Sequence, residues 1–534
     1  MQTIGQHHML ILWLITVGFV CLAVFNHLRA LHTWISIPIP QNIKHLLAAI
    51  SPAKQQCEQH VTPVIVHSAG NFTDRITAFN VFLSSLRADE LKIRGNDSWR
   101  TPASKKLKGV WGVKDDYLQE LSNYCNVITV VLPWLSNSSL QDNSNLLIQT
   151  YYEWTADETI CSWIRTPETT RKRYHAVYNR TCNTNMNDTA QPLSLRPLFL
   201  NGKPFLSKTY WPDNGNSYPA HFYTDTPPYA FYMHIHRDAI ITDVGHVITD
   251  GLKLVLYVCD YDVEISYPSH LERIPLYNEV FVISQILGTQ VYHRMVEIVP
   301  RISLFVDFLK ANPEIRIAAP ETDGRLAELF EVIGLNKSRL VTGATRAKIA
   351  YQPRVSTCGF PNAQESQMLS QLYRDYIERT FPHQPRNRLI LIRRSEERKF
   401  KEQEEIEKVV KRAASDYNLT YTLFIDNPAP SLNDTMMMFY SAVVIIAPHG
   451  AGESNMLFSQ PGTYIIEGVC EPPKWVILWF LRLAHVLGHH WHGVASQGRG
   501  SCPDVLDVPV LNIYDALIKY LRIWSSSLIH RPQL

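Results

Sequence analysis

The sequence predicts an α/β fold built on a parallel sheet, set behind an N-terminal membrane anchor. Three observations predict it. Between residues 387 and 487, short apolar runs alternate with amphipathic helical segments. Those runs are apolar throughout, which is the pattern of strands covered on both faces. Met9 to Phe25 form an unbroken apolar run of 17 residues, near the lower limit of the roughly 20 that span a bilayer. Composition agrees with a large globular chain. The 534 residues are 46% apolar and 19% charged, which excludes a mostly disordered protein. Fifty-one basic residues against 49 acidic ones leave no surplus for bulk nucleic-acid binding. No repeat of 20–50 residues suggests a solenoid or propeller.

The elements follow in order. Residues 1–8 read as a cytosolic tail, 9–25 as the anchor and 26–60 as a stem. A cleaved signal peptide is the alternative. Against it, MQTIGQHH carries no Lys or Arg, the run exceeds the usual ~7–15 residues, and no clear A-x-A site follows. Charges flanking the run do not set its orientation. Eight N-x-Ser/Thr sequons do, at Asn71, Asn96, Asn137, Asn179, Asn187, Asn336, Asn418 and Asn433. Spread along one chain, they suit a glycosylated lumenal protein. Apart from Cys21 in the run, eight Cys remain, an even number that fits an oxidising lumen with unassigned disulfides. The C-terminal HRPQL has no ER-retention tetrapeptide. A single-pass type II Golgi membrane protein is expected, with the ER as second choice.

Residues 61–220 are irregular, rich in Pro, Asn, Ser and Thr, and Lys105–Lys114 reads as a solvated basic surface. From about 230 the pattern tightens. Asp238–Asp250 and Leu252–Cys259 read as short strands around a Gly turn, and Phe281–Ile286 as another. Tyr292–Leu309 reads as helical, kinked or split at Pro300. Ile315–Ala319 is a strand and Arg325–Ile333 a helix ended by Gly334. Further on come a strand at Leu389–Ile392, a helix at Gln403–Ser415, a strand at Tyr421–Ile425, and a helix capped by Ser431 and running to Tyr440. Strands at Val443–Ala447 and Thr463–Glu467 complete the set. The whole reads as a Rossmann-like domain with right-handed crossovers.

In VVIIAPHGAGESNMLF the strand ends at Ala447–Pro448, and His449-Gly450-Ala451-Gly452 turn into a short helix. Ligands of open α/β sheets bind at the carboxyl ends of strands. Free amides and the helix dipole favour a phosphate there, and glycines let the backbone approach it. The residues alone leave a phosphate cradle and an ordinary strand–helix turn equally open. Gly452-Glu453-Ser454 lacks the closing Gly of a hydrolase elbow.

Residues 443–467, VVIIAPHGAGESNMLFSQPGTYIIE, resemble the signature of glycosyltransferase family 61: strand, PHGAGLTNLLF, PPGS or PPGT, strand, Glu. The match falls on Pro448, His449, Gly450, Ala451, Gly452, Asn455, Leu457, Phe458, Pro461, Gly462 and Glu467. It departs at Glu453 and Ser454, where the family often has Leu-Thr. RLILIRR at Arg388–Arg394 resembles the family's strand ending in Ser-Arg, with Ile392 in place of Ser. YHRMVEIVPR at Tyr292–Arg301 resembles its Tyr/Phe-His, acid, Pro-Arg segment. The resemblance implies a GT-B-like fold, two facing Rossmann-like domains: residues 61–385 on the acceptor side and 386–500 binding a UDP-sugar, with 501–534 as a C-terminal helix and tail.

It further implies inverting transfer of a sugar, xylose or N-acetylglucosamine, from a UDP-sugar to a glycan or glycoprotein acceptor. Cofactors are expected to be none, and a metal is not expected. The reaction needs a base for the acceptor hydroxyl and positive charge for the diphosphate. Arg393 suits the diphosphate, with Arg398 as second choice and Arg394 turned to the other face. His449, Gly450, Ala451, Gly452 and Asn455 would form the turn around the donor. Glu467 would accept from ribose hydroxyls, or else serve as a cap or ion-pair partner. His293 and Glu297, four residues apart, would act as base and orienter, with structural packing of His293 as the alternative. The substitutions at Ile392, Glu453 and Ser454 leave room for a non-catalytic carbohydrate-binding or assembly-partner protein. His485, His489, His490 and His492 invite a zinc reading, and Asp260-Tyr261-Asp262 mimics a metal-binding DxD; neither is favoured.

Overall fold

The computed structural model describes residues 231–255, 268–322, 324–355, 361–469, 479–496 and 504–529, short segments at 64–65, 72–94, 108–111, 127–132, 198–200, 203–205 and 209–210, and the single residues 99 and 359. The expected anchor and stem, every Cys, the first five sequons and Asp260–Asp262 lie outside them. Among the described residues no helix is long and apolar enough to cross a membrane. The architecture is mixed α/β with two large sheets.

The second sheet is parallel throughout. Its strands lie in the order Thr420–Ile425, Arg388–Arg393, Ala442–Pro448, Tyr464–Val469, His490–Ala495 and Thr209–Tyr210. Each expected strand is present and longer by one or two residues, the last shifted to begin at Tyr464. Side chains alternate between faces, and the burial is segregated accordingly. Leu389, Leu391, Val444, Ile446, Tyr464 and Ile466 face helices Gln403–Asp416 and Val510–Ile529. Ile390, Ile392, Ile445, Ala447 and Ile465 face the opposite way, into a second core. That core contains residues of helices Ala363–Thr380, Leu432–Tyr440 and Trp479–Val486. Two covered faces explain why these strands are apolar at every position.

Apart from the edge pair Thr209–Tyr210, the first strand along the chain, Arg388–Arg393, lies between the next two, Thr420–Ile425 and Ala442–Pro448. The winding direction therefore reverses between Arg388–Arg393 and Ala442–Pro448. The crevice at the carboxyl ends of those two strands is the place where such a sheet binds ligands.

The first sheet corrects one expectation. It is not a purely parallel, Rossmann-like sheet. Leu340–Val341, Arg316–Ala318, Leu276–Val282 and Thr345–Pro353 are parallel neighbours. Thr345–Pro353 then pairs antiparallel with the long strand Phe231–Ile241, which also pairs antiparallel with Val127–Leu132 and Val247–Thr249. The cause is local. Asp250-Gly251 closes a tight hairpin between Thr249 and Leu252, with Gly251 at φ 72°. Gly245, at φ 77°, closes the preceding one. A Cβ at Gly245 would stand 1.8 Å from the Ser284 carbonyl oxygen, so no other residue fits. Connections this short cannot join parallel strands.

The helical reading of Tyr292–Leu309 resolves into three pieces. A π-helical stretch His293–Ile298 runs into α-helix Val299–Ser303, and Val306–Ala311 follows after a turn. Pro300 sits in the first turn of the middle piece, where a missing N–H is tolerated. Ser431 caps the helix Leu432–Tyr440 as expected, accepting from the Asp434 amide at 3.1 Å. Ser431→Ala should lower stability by about 0.5–2 kcal/mol, read by urea or thermal unfolding. An unchanged midpoint would show that the cap contributes nothing.

Candidate active site

The site begins with alternation. Counting from Ile390 and Ile392, the next residue on the same face is Arg394, and Arg393 falls on the face of Leu391. Arg393 accordingly reaches the helix Gln403–Asp416 and pairs with Glu407 at 2.6 Å. The faces expected for the two arginines are exchanged by this parity. Arg394 turns to the face that carries the glycine turn. Its guanidinium lies so close over Gly450 that a Cβ there would stand 1.6 Å from its Nη1. Gly450 is extended, so its value is space and not an unusual backbone angle. Gly452 plays a similar part below, since its Cβ would meet Ile392 Cγ2 at 3.2 Å.

Arg398 stands nearby at φ 57°, with its buried Nε lacking a partner. Burial and then the like charge of Arg394 lower its pKa. Two guanidiniums at one turn, one with an unsatisfied donor, describe a place for an anion. The turn itself is self-satisfied. Asn455 Nδ2 donates to the Gly452 carbonyl at 2.8 Å, and Ala451 is half-buried. The Gly450 amide, expected to point at a ligand, donates to Glu453 Oε2 at 3.2 Å.

His449 and Glu467 follow from the same parity. Ala447 and Glu467 are register partners on adjacent strands. His449, two residues beyond Ala447, joins Glu467 on the side of the second core. Its Nδ1 lies 2.5 Å from Glu467 Oε1, and Trp491 Nε1 donates to Oε2 at 2.7 Å. Glu467 is 0% exposed and both its oxygens are engaged. Its observed role is therefore to hold His449 and Trp491.

A second imidazole–carboxylate pair lies across the site. His293 Nδ1 is 2.7 Å from Glu297 Oε2, as the i, i+4 spacing implied. Glu297 is further held by Gln285 Nε2 at 2.8 Å and the Gly359 amide at 3.0 Å. Arg301 Nε donates to the Glu297 carbonyl. This pair follows the carboxyl end of the first sheet's strand Leu276–Val282, as the other follows that of Ala442–Pro448. Aromatic rings join them. Tyr292 stacks on Trp479 at 5.0 Å and meets Phe480 edge-on, and Phe480 meets His449 at 5.2 Å. A small polar cavity lined by His246, Ser284, Arg301 and Gln352 lies on the first-sheet side.

Sequence reasoning missed Trp491, Gln285, Gly359 and the Tyr292–Trp479–Phe480 cluster. The segment HHWH carried Trp491 in view, but its partner Glu467 lies 24 residues away. The four histidines of that region do not converge. His489 Nε2 reaches the Met456 carbonyl at 3.1 Å, His490 packs on Tyr464, and His492 Nδ1 reaches the Tyr520 hydroxyl. Among the described residues the one group with metal-ligand spacing is His449, Glu453 and Glu467.

Burial pushes His485 down to about 4 and His489 to about 3, so both are neutral in the fold. The unfolded chain protonates them near ~6.5. Their contribution is thus present above that pH and lost as pH falls from 6.5 towards 4. Stability should decline over that window. His489→Gln should flatten the decline by up to about 1.4 kcal/mol per pH unit. Melting temperatures across the window test this, and identical slopes for both proteins would refute it.

Residues 291–466 match the family model described as Glycosyltransferase 61. No curated protein matches the chain.

Proposed function

We propose, on the match of residues 291–466 to the Glycosyltransferase 61 family model, an inverting transfer from a UDP-sugar, of xylose or N-acetylglucosamine, to a hydroxyl of a glycan or glycoprotein acceptor. The observation that carries this reading is the pairing of His293 with a carboxylate already held by Gln285 and Gly359. With Nδ1 donating to Glu297, Nε2 carries the lone pair. It takes the acceptor proton as the hydroxyl oxygen attacks the anomeric carbon. The bond from that carbon to the diphosphate oxygen breaks, and UDP leaves with the electron pair. In-line attack inverts the anomeric centre.

The leaving diphosphate gains negative charge, which Arg394 and Arg398 offset. Their like-charge proximity supports this reading, because a dianion relieves it. His449, held by Glu467 through Nδ1, accepts at Nε2 from a sugar hydroxyl. The two sheets act as donor and acceptor sides of a GT-B-like arrangement. The exposed sequons Asn336, Asn418 and Asn433 support a lumenal, type II Golgi setting.

His293→Ala should lower kcat by about 10²–10⁴ and leave UDP affinity nearly unchanged. A folded variant with normal turnover would remove His293 as base. Arg394→Ala should weaken UDP binding by roughly 10–100-fold, as loss of a charged hydrogen bond costs about 1.5–3 kcal/mol. Arg393→Ala should leave UDP affinity within about twofold, because Arg393 is committed to Glu407. Calorimetric UDP titration distinguishes the arginines, and a larger loss for Arg393→Ala would invert the assignment.

A further inference from the structure

We propose that His449, Glu453 and Glu467 form a three-ligand site for one divalent transition-metal ion, Zn²⁺ or Mn²⁺, beneath the glycine turn. The geometry points to it from three sides. One nitrogen and two carboxylate oxygens from these residues lie within 4.8 Å of one another. All three side chains are buried, at 1%, 1% and 0% exposure. Glu453 Oε1 is buried and accepts from no donor, although Oε2 holds the Gly450 amide.

A buried carboxylate oxygen without a partner is costly, and buried charges are normally paired or bound to metal. Arg394 and Arg398 act on Glu453 only from a distance. Burial, and then the neighbouring Glu467 charge, push the Glu453 carboxyl well above the usual carboxylate range. A dication answers both. Two carboxylates and one neutral imidazole make a neutral set around it, and an imidazole with carboxylates suits borderline ions. Tetrahedral bonds of about 2.1 Å hold ligands about 3.4 Å apart. The 2.5 Å His449–Glu467 contact would open, and the Glu453 arm would close. Binding releases the proton on Glu453, and the proton between His449 and Glu467 moves to Nε2, so the imidazole stays neutral.

The ion would take the Nδ1 side of His449 and leave Nε2 towards the donor. Trp491 would remain on Glu467 Oε2 and fix that carboxylate as an outer-shell partner does. The site differs from the transfer machinery in kind: it positions the turn and His449, and the arginines meet the diphosphate. Glu453 stands where the resembling family often has Leu, so the site is a property of this chain.

The test uses the full-length protein, dialysed against chelator and reloaded with Zn²⁺ or Mn²⁺ alone. Elemental analysis after gel filtration should give about one ion per chain. The melting temperature should rise with ion concentration, as binding to the native state requires. Glu453→Gln and Glu453→Leu should both remain folded and lose both signals. His489→Gln should keep them, which separates this site from the neighbouring histidines. Three results would overturn the proposal: less than about a tenth of an ion per chain with either metal, equal loading of the Glu453 variants, or loss of loading in His489→Gln. The first would leave a proton as what neutralises Glu453.

Discussion

A parallel sheet buried on both faces permits no free choice of direction for its side chains. Each strand must alternate, and each face must find a cover. In this protein that constraint decides where Arg393, Arg394, His449 and Glu467 go. The face of Ile390, Ile392, Ile445 and Ile465 leads, two residues at a time, to Arg394, His449 and Glu467. The other face leads to Arg393 and its partner Glu407. Because adjacent strands are in register, His449 and Glu467 meet without any long loop to position them. The precision of the site is inherited from backbone hydrogen bonding, which is far stiffer than any surface side chain.

The site's buried carboxylates are met by donors from the protein itself. Glu467 is satisfied by a ring nitrogen and an indole, and Glu297 by a ring nitrogen, an amide side chain and a backbone amide. Each carboxylate fixes one imidazole and with it one tautomer. The arginines are left on the solvent side, half-buried and partly unsatisfied. The buried carboxylates and imidazoles thus hold one another inside, and the guanidiniums stand at the rim. Glu453 alone breaks this division, since it is inside and has an oxygen to spare.

Much of this was legible in the sequence, for physical reasons that differ by element. Strands of the second sheet announce themselves because they are apolar on both faces, and Leu389–Ile392 was found to within a residue at each end. Ser431 was readable because a cap is a local interaction. So was the His293–Glu297 pair, which needs only one helical turn. The choice between Arg393 and Arg394 was not readable. It depends on which face carries the glycine turn, and that is a fact of tertiary packing. The antiparallel half of the first sheet was hidden because Phe231–Ile241 pairs with Thr345–Pro353, more than a hundred residues away. Glu453 was visible only as an oddity in a motif, and its meaning came from burial.

The second core described above does not stop at the sheet that it covers. The same apolar cluster continues from Ile76 and Phe281 through Tyr351 and Tyr373 to Ile445 and Trp491. It therefore crosses from one sheet to the other, with Ala363–Thr380 as the shared rib. Two halves welded in this way cannot rotate as independent rigid bodies without exposing that seam. They should melt in a single cooperative step. Any rearrangement of the molecule has to leave that seam intact. The protein would behave as one rigid spine with a sheet on either side.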